Sequence, residues 1–365
     1  MKFCMYNVTT TIKVGGIETF YWEVSKELEK RGFEVDIVTA KGNFIKYPEL
    51  NIHQFDYTPR DKIFDLGNRF RKWGERISFF KNAYSYLKTQ KYDYLIIRKP
   101  LDFFVAYFMK KFNPNLKVIF ISGGEDFYGF DKFFSKYVDF MFAVSKENAK
   151  IIQNRYQREV KVLHNGVNIE LFKKDQNIRE ELRKKYKIDN QKVLLSVGRI
   201  VGWKGYQLVI KAIKDLVDVK YVVIGDGEYL NKLKSLAKDE QIEEKVLFLG
   251  SIPNKELYKY MNMADIFIQP SIGHEAFGIT IVEAMACGLP VIASYNGGMK
   301  DIIKDGENGF FFEVENVKDL REKIIKSINY KFEDVRNYVE NNFTWKINVD
   351  KLLKYLDNLL YKDKR

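Results

Sequence analysis

The chain is poor in the residues that usually announce a metal centre or a disulfide frame. Its two cysteines, Cys4 and Cys287, are too far apart to read as a framework or a knuckle. The three histidines, His53, His164 and His274, are scattered, and no pair stands at metal-ligand spacing. Nor does the spacing bring together a Ser–His–Asp or Cys–His arrangement. No apolar run approaches the roughly 20 residues needed to cross a bilayer. Tyr94-Leu-Ile-Ile97 and Val118-Ile-Phe-Ile121 have the length of strands instead. The opening MKFCMYNVTTT lacks the apolar stretch of a signal peptide. Together these absences predict a cytoplasmic protein with no metal and no cofactor, at most peripheral at the inner face of a membrane.

What is present is charge. The 365 residues carry a formal net charge of +12 with 46% hydrophobic content, a globular composition with room for two domains. Such a bias suits nucleic acid, anionic lipid or an acidic substrate. Residues 60–91 concentrate it, with nine cations (Arg60, Lys62, Arg69, Arg71, Lys72, Arg76, Lys81, Lys88, Lys91) against three anions. Phe64, Leu66, Phe70, Trp73, Ile77, Phe79, Phe80, Tyr84 and Tyr86 interleave them. One reading is a solvated helix pair with its aromatic side in the core. The other is a surface resting on anionic headgroups. Nucleic acid is the weakest of the three and is not expected as a partner.

Short β-branched and aromatic runs alternate with helical patterns, which predicts an α/β chain of βα units around parallel sheets. Candidate strands are Lys2–Tyr6, Glu34–Thr39, Tyr94–Arg98, Lys117–Ser122, Phe140–Val144 and Lys161–Leu163. A second series comprises Lys192–Val197, Lys220–Ile224, Val246–Leu249, Ile266–Gln269, Pro290–Ala293 and Gly309–Phe312. Two doubly wound domains, 1–168 and 190–344, follow, and Trp345–Tyr361 scans as an amphipathic helix. Open parallel sheets bind ligands outside the carboxyl ends of their strands. Two such sheets facing each other would line a cleft with those loops.

The loops carry the chemistry. In the run HEAFGITIVEAMACGLP, residues 274–290, Glu275 and Glu283 stand eight positions apart. Between them lie the turn-like Ala276-Phe277-Gly278 and the start of a helix. A carboxylate at the helix mouth and one on its flank would then face one cleft, with N-terminal amides between them. Amides suit phosphate and carboxylates suit sugar hydroxyls. Gly198-Arg199 and Lys204-Gly205 follow the first strand of the second series and bring two cations suited to a diphosphate. Gly15-Gly16 opens a helix after the first strand, where backbone can approach a ligand closely. Gly225-Asp-Gly-Glu228 has half of a dinucleotide fingerprint, but Leu230 stands where the third glycine belongs, which removes the main support for NAD.

Taken with His164-Asn-Gly-Val-Asn168 and Asn296-Gly-Gly298 before Asp305-Gly-Glu-Asn-Gly309, these motifs resemble the retaining, nucleotide-sugar-dependent glycosyltransferases of family four. The resemblance implies the GT-B architecture, two Rossmann-like domains facing across a cleft. The first would bind the acceptor and the second the donor, and Trp345–Tyr361 would cross back onto the first. It implies that Arg199 and Lys204 hold the donor diphosphate and that Glu275 lies by the donor sugar. Glu283 would accept from ribose hydroxyls, the amides of Phe277, Gly278 and Ile279 would meet a phosphate, and Gly16 would approach from the other domain. Many members carry a histidine on a loop of the first domain where this chain reads Ile121-Ser-Gly-Gly-Glu-Asp126. Glu125 or Asp126 would serve the acceptor side there, or simply cap the next helix.

The expected partners are a nucleoside-diphosphate sugar and a glycan or lipid-linked acceptor, transfer proceeding with retention and without a metal. The alternatives are a GT-B nucleotide-sugar epimerase and a non-catalytic, membrane-associated protein of the same build.

Overall fold

The computed structural model describes residues 1–362, with side-chain surroundings to residue 357. The chain divides into two compact units, Met1–Asn165 with Trp345–Arg365, and Gly166–Thr344.

Unit 1 begins β1 (Lys2–Tyr6), α1 (Gly16–Glu29), β2 (Glu34–Ala40), β3 (Asn51–Phe55), α2 (Asn68–Thr89) and β4 (Tyr94–Ile97). It continues α3 (Phe103–Phe112), β5 (Lys117–Ser122), α4 (Asp131–Phe134), β6 (Phe140–Ala143), α5 (Lys146–Tyr156) and β7 (Lys161–Val162). The seven strands are all parallel in the order β3-β2-β1-β4-β5-β6-β7. Buried on both faces, they read as nearly unbroken apolar runs, as parallel strands do. Neither edge strand, the two-residue β7 nor β3 (Asn-Ile-His-Gln-Phe), has a fully buried residue, and β3 is the more polar. Its polar content is why no strand is read there from sequence. The other first-series strands lie within a residue of their expected ends.

Unit 2 runs α6 (Gln176–Lys185), β8 (Lys192–Val197), α7 (Tyr206–Ala212), β9 (Val219–Ile224), α8 (Leu230–Asp239), β10 (Val246–Phe248) and α9 (Asn254–Met263). Then come β11 (Ile266–Gln269), α10 (Ile279–Ala286), β12 (Val291–Ser294), β13 (Gly309–Phe312), α11 (Val317–Asn329) and α12 (Val335–Asn342). Its six parallel strands are ordered β10-β9-β8-β11-β12-β13. In both sheets the order reverses once, at β1/β4 and at β8/β11. Helices leave to opposite faces there, and the crevice between them is where doubly wound sheets take ligands.

The last helix, α13 (Trp345–Lys362), is part of unit 1. Trp345, Val349, Leu352 and Leu356 join Phe20, Tyr21, Val24 and Leu28 of α1 in one apolar cluster. Trp345 meets Phe20 edge-on at 6.0 Å, and Arg31 Nη2 reaches Asp350 Oδ1 at 2.7 Å. Leu359, read from sequence as part of this stripe, lies outside the residues whose side chains are described.

Residues 60–91 are not a helix pair. Arg60–Lys62 forms one 3-10 turn, the chain is then extended, and α2 alone is helical. The structure also splits the segment's aromatics. Phe79 and Phe80 are buried in the core, whereas Phe64 (79% exposed), Leu66, Phe70 and Trp73 lie at the surface. Part of the positive charge is spent internally: Arg76 pairs with Asp102 in the interior, Arg60 with Glu75, and Lys72 with Asp126.

Leu352 is fully buried between α13 and α1. Leu352→Ala is expected to cost about 2–5 kcal/mol, the range for a buried leucine whose cavity cannot collapse. Denaturant unfolding of the full chain measures it. A loss under about 1 kcal/mol would mean that α13 is not integral to the unit 1 core.

Candidate active site

The reversal point of unit 2 is built from loops in main-chain contact, and glycine is what lets them meet. Gly198 (φ +148°) turns the chain out of β8. A Cβ on Gly225 (φ +141°) would lie 1.9 Å from Gly198 O, and one on Gly227 would lie 2.2 Å from Ile200 O. The Gly225-Asp-Gly-Glu228 motif therefore buttresses the 198–200 loop from behind. Ile200 N completes the contact by donating to Asp226 O at 2.8 Å. Gly205 (φ +74°), at the start of α7, would put a Cβ 1.9 Å from Pro270 O. Ile272 N and Gly273 N both donate to Trp203 O, at 2.8 and 3.1 Å.

This stitching brings Lys204 to Glu275, 71 residues later, with Nζ 2.5 Å from Oε2. The two side chains are only 14% and 17% exposed. Gln269 Nε2 and Ser271 Oγ face the same carboxylate oxygen at 3.5 Å, and Gln269 Nε2 donates to Ser271 Oγ at 2.8 Å. Both neighbours escape a reading of sequence motifs. Their signal is faint: two polar residues closing an apolar strand, with Pro270 between them. Tyr206, whose buried hydroxyl has no partner, adjoins this corner. Burial, then Tyr221 and Glu275, hold its hydroxyl well above the ordinary tyrosine pKa. Arg199 is exposed and forms no ion pair among the described residues. Of the two expected diphosphate cations, one is held by a carboxylate and the other is unengaged.

As the turn-like Ala276-Phe277-Gly278 leads one to expect, Glu275 stands before the helix and Glu283 on it. Gly278 adopts φ +96°, so α10 begins only at Ile279 and Glu275 lies in the preceding loop. That loop is set by Asn296-Gly297-Gly298. Gly298 N donates to Glu275 O at 2.7 Å, and Asn296 Nδ2 donates to Gly273 O at 2.8 Å. A Cβ on Gly297 or Gly298 would fall 2.2 Å from Glu275 O or Ala276 O respectively. Glu283, on α10, is 3% exposed and accepts from Asn254 Nδ2 of α9 at 2.9 Å. The Phe277 side chain is buried, 5.9 Å from the Phe343 ring. Only its main chain, with Gly278 and Ile279, stands at the α10 N-terminus, where unpaired donors favour an anion.

In unit 1, Gly16 is the first residue of α1 and is exposed. Glu18 in the first turn accepts from Thr9 Oγ1 at 2.5 Å. Glu125 is exposed, and Asp126 lies between Lys99 at 3.4 Å and Lys72 at 3.5 Å. Burial raises the Asp126 pKa, but Lys99 and Lys72 outweigh it and hold the carboxyl below its ordinary range. Neither residue caps the next helix: α4 starts at Asp131, whose own carboxylate accepts from Tyr128 N at 2.8 Å. His164 stands just before the division between units, its carbonyl accepting from Asn348 Nδ2 at 2.5 Å. Among the described residues, no group of three or more His, Cys, Asp or Glu could hold a metal ion, and no helix is long and apolar enough to cross a membrane.

Two doubly wound units, with paired charges at the reversal point of the second, define the GT-B class of glycosyltransferases. The family description "Glycosyltransferase Family 4" matches residues 14–171, and "Glycosyl transferases group 1" matches residues 178–345. An uncharacterized glycosyltransferase from Methanocaldococcus jannaschii is 26% identical over 95% of this chain and 96% of its own length. Two further uncharacterized glycosyltransferases from the same organism, 31% and 32% identical, match over 51% and 53% of their own length. Sucrose-phosphate synthase from Thermosynechococcus elongatus superposes with a TM-score of 0.84 at 17% identity, covering 99% of both chains. Anabaena HepE, in complex with UDP-glucose, gives a TM-score of 0.79 at 20% identity, covering 98% of this chain and 100% of its own. The chain belongs to the group 1 glycosyltransferases and is an enzyme of that class.

Gly298→Ala tests the main-chain support of Glu275, because the added Cβ must push on Ala276 O. Displacing a reacting group by about 1 Å can cost on the order of 100-fold in rate. Sugar turnover is therefore expected to fall by about that factor. Turnover within threefold of wild type would show that the loop yields without moving Glu275.

Proposed function

We propose that the chain moves a sugar from a nucleoside diphosphate onto a hydroxyl of a glycan or lipid-linked acceptor, with retention and without a divalent metal. The observation that carries this is the Lys204–Glu275 pair, with Arg199 exposed and unpaired on the same stretch after β8 that carries Lys204. A pair already in place needs little reorganisation when charge develops, which is where electrostatic catalysis gains most. Arg199 and Lys204 receive the negative charge of the departing diphosphate, while the α10 N-terminus adds its dipole. Glu275, beside the donor sugar, accepts from its hydroxyls. Glu283 accepts from the ribose, a role that its hydrogen-bonded, buried carboxylate suits. The bond from the anomeric carbon to the diphosphate breaks, and the acceptor oxygen bonds that carbon on the same face. The acceptor proton leaves with a phosphate oxygen. That HepE has been captured with UDP-glucose supports a nucleotide-sugar donor for this fold.

A panel of nucleotide-sugars, assayed for nucleoside diphosphate release with and without sugar acceptors, tests the reading. Release without acceptor, accompanied by an isomerised donor, would instead identify an epimerase. Lys204→Ala is expected to lower kcat/KM about 100-fold or more, as removal of one preorganised charge donor does. Glu283→Ala is expected to weaken nucleotide binding mainly. If both leave turnover untouched, the site is elsewhere.

We further propose that the surface around residues 60–73 rests on anionic lipid. Phe64 and Leu66 are 79% and 64% exposed, and Lys62 and Arg69 are exposed beside them. Exposed aromatics between cations are what an interfacial segment presents. Sedimentation with vesicles is expected to carry the chain down when they hold anionic lipid and to leave it in solution when they are neutral. Phe64→Ser with Leu66→Ser is expected to weaken this. Equal pelleting on both vesicle types would remove the proposal.

A further inference from the structure

The reversal point of unit 1 holds a buried cation that none of the motifs includes. Arg98 follows β4 directly, is 3% exposed, and forms no ion pair among the described residues. Its donors are only partly used: Nε reaches Ile121 O at 3.2 Å and Nη1 reaches Asn165 Oδ1 at 3.5 Å. The guanidinium lies 4.1 Å from the centroid of the Phe20 ring. Burial pulls its pKa down to about 10, against the opposing fields of Tyr21 and Glu18. Glu18 is itself engaged by Thr9 and is not an ion-pair partner.

Buried charges in folded proteins are normally paired, because an isolated one costs several kcal/mol. A purely structural role of bonding one carbonyl and one amide oxygen would not need a full charge. No hydrogen bond uses the Nη2 edge of the guanidinium among the described residues, and glycine stands next to it. A Cβ on Gly123 would lie 2.8 Å from Nη2, so only glycine leaves that edge uncrowded. Gly124 (φ +156°) has nothing within 4 Å of the position its Cβ would take. The contacts with Ile121 O and Gly123 place this edge at the carboxyl ends of β4 and β5, with Phe20 of α1 on the guanidinium face.

We propose that Arg98 is an anion-binding residue, taking an oxygen of a substrate phosphate or carboxylate on Nη2 outside the carboxyl ends of β4 and β5. The N-terminus of α1, a 14-residue helix beginning at Gly16, adds a favourable dipole, which Glu18 in its first turn opposes. The anion is an acidic group, phosphate or carboxylate, on the acceptor. The inference concerns unit 1 alone and does not rest on the donor site assigned to unit 2.

Calorimetric titration of the full chain with inorganic phosphate, and separately with UDP, tests it. Titrations are made in wild type and in Lys204→Ala, so that a phosphate bound by unit 2 is not mistaken for this one. In both backgrounds Arg98→Gln is expected to lower phosphate affinity at least tenfold, and Arg98→Lys to recover part of the loss. Gly123→Ala, which keeps the arginine but crowds Nη2, is expected to weaken phosphate binding as well. It also serves as the test should Arg98→Gln fail to fold. A tenfold loss of UDP affinity in Arg98→Gln overturns the assignment to the acceptor. Unchanged UDP affinity with lost phosphate affinity assigns it to the acceptor. Phosphate affinity within twofold of wild type in folded Arg98→Gln or Gly123→Ala overturns the proposal, as does absence of phosphate binding by wild type in the millimolar range. Failure of UDP to bind any of these chains counts against the donor reading of unit 2 and leaves the phosphate result standing.

Discussion

The site in unit 2 depends on backbone lying against backbone. At Gly205, Gly225, Gly297 and Gly298, a carbonyl oxygen occupies the place a β-carbon would take, about 2 Å away. No side chain larger than hydrogen fits such a contact without moving main chain, and three of the four residues also have positive φ. The result is a stack of loops from β8, β9, β11 and β12 whose relative positions are set by main-chain atoms. Side chains on such a stack inherit its rigidity. That is how Lys204 and Glu275, far apart in sequence, come to form a mostly buried pair.

This arrangement separates two jobs that the motifs merge. The glycines in Gly225-Asp-Gly-Glu228 and Asn296-Gly-Gly298 are supports, and the charges in Gly198-Arg199, Lys204 and Glu275 are what they support. A Gly-x-Gly motif invites comparison with phosphate-binding loops, yet here its glycines face another loop. Glu283 is a third kind of residue, held within the domain by Asn254 and nearly buried. Unit 1 has the same sheet logic with different occupants. Its reversal point carries an arginine unmatched by acid, and Gly123 avoids the side chain that would crowd that arginine.

Much of the fold is legible in the sequence, for a clear reason. Parallel strands are covered on both faces, so they appear as short apolar runs, and helices appear between them with a different period. Lys2–Tyr6, Lys117–Ser122, Lys192–Val197, Ile266–Gln269 and Gly309–Phe312 match residue for residue. The strand that escapes, β3, is an edge strand with polar residues and no buried face. The aromatics of residues 60–91 escape for a related reason. Composition cannot say which of them turn inward, and the helix buries Phe79 and Phe80 while the chain before it leaves Phe64 outside.

By itself the sequence determined the alternation of strands and helices, the family, and which residue types stand at the ends of which strands. Those are properties of local pattern, carried by residues close together in the chain. Only the tertiary structure decided what these residues touch. It placed Lys204 on Glu275, turned Phe277 into the core, fixed the Glu275 loop against Gly297 and Gly298, and set Asp126 between two lysines. It also left Arg98 buried without a counterion. Each of these outcomes depends on contacts between residues tens of positions apart, and on whether a backbone carbonyl or a side chain occupies a given few ångströms. Local pattern carries no record of either.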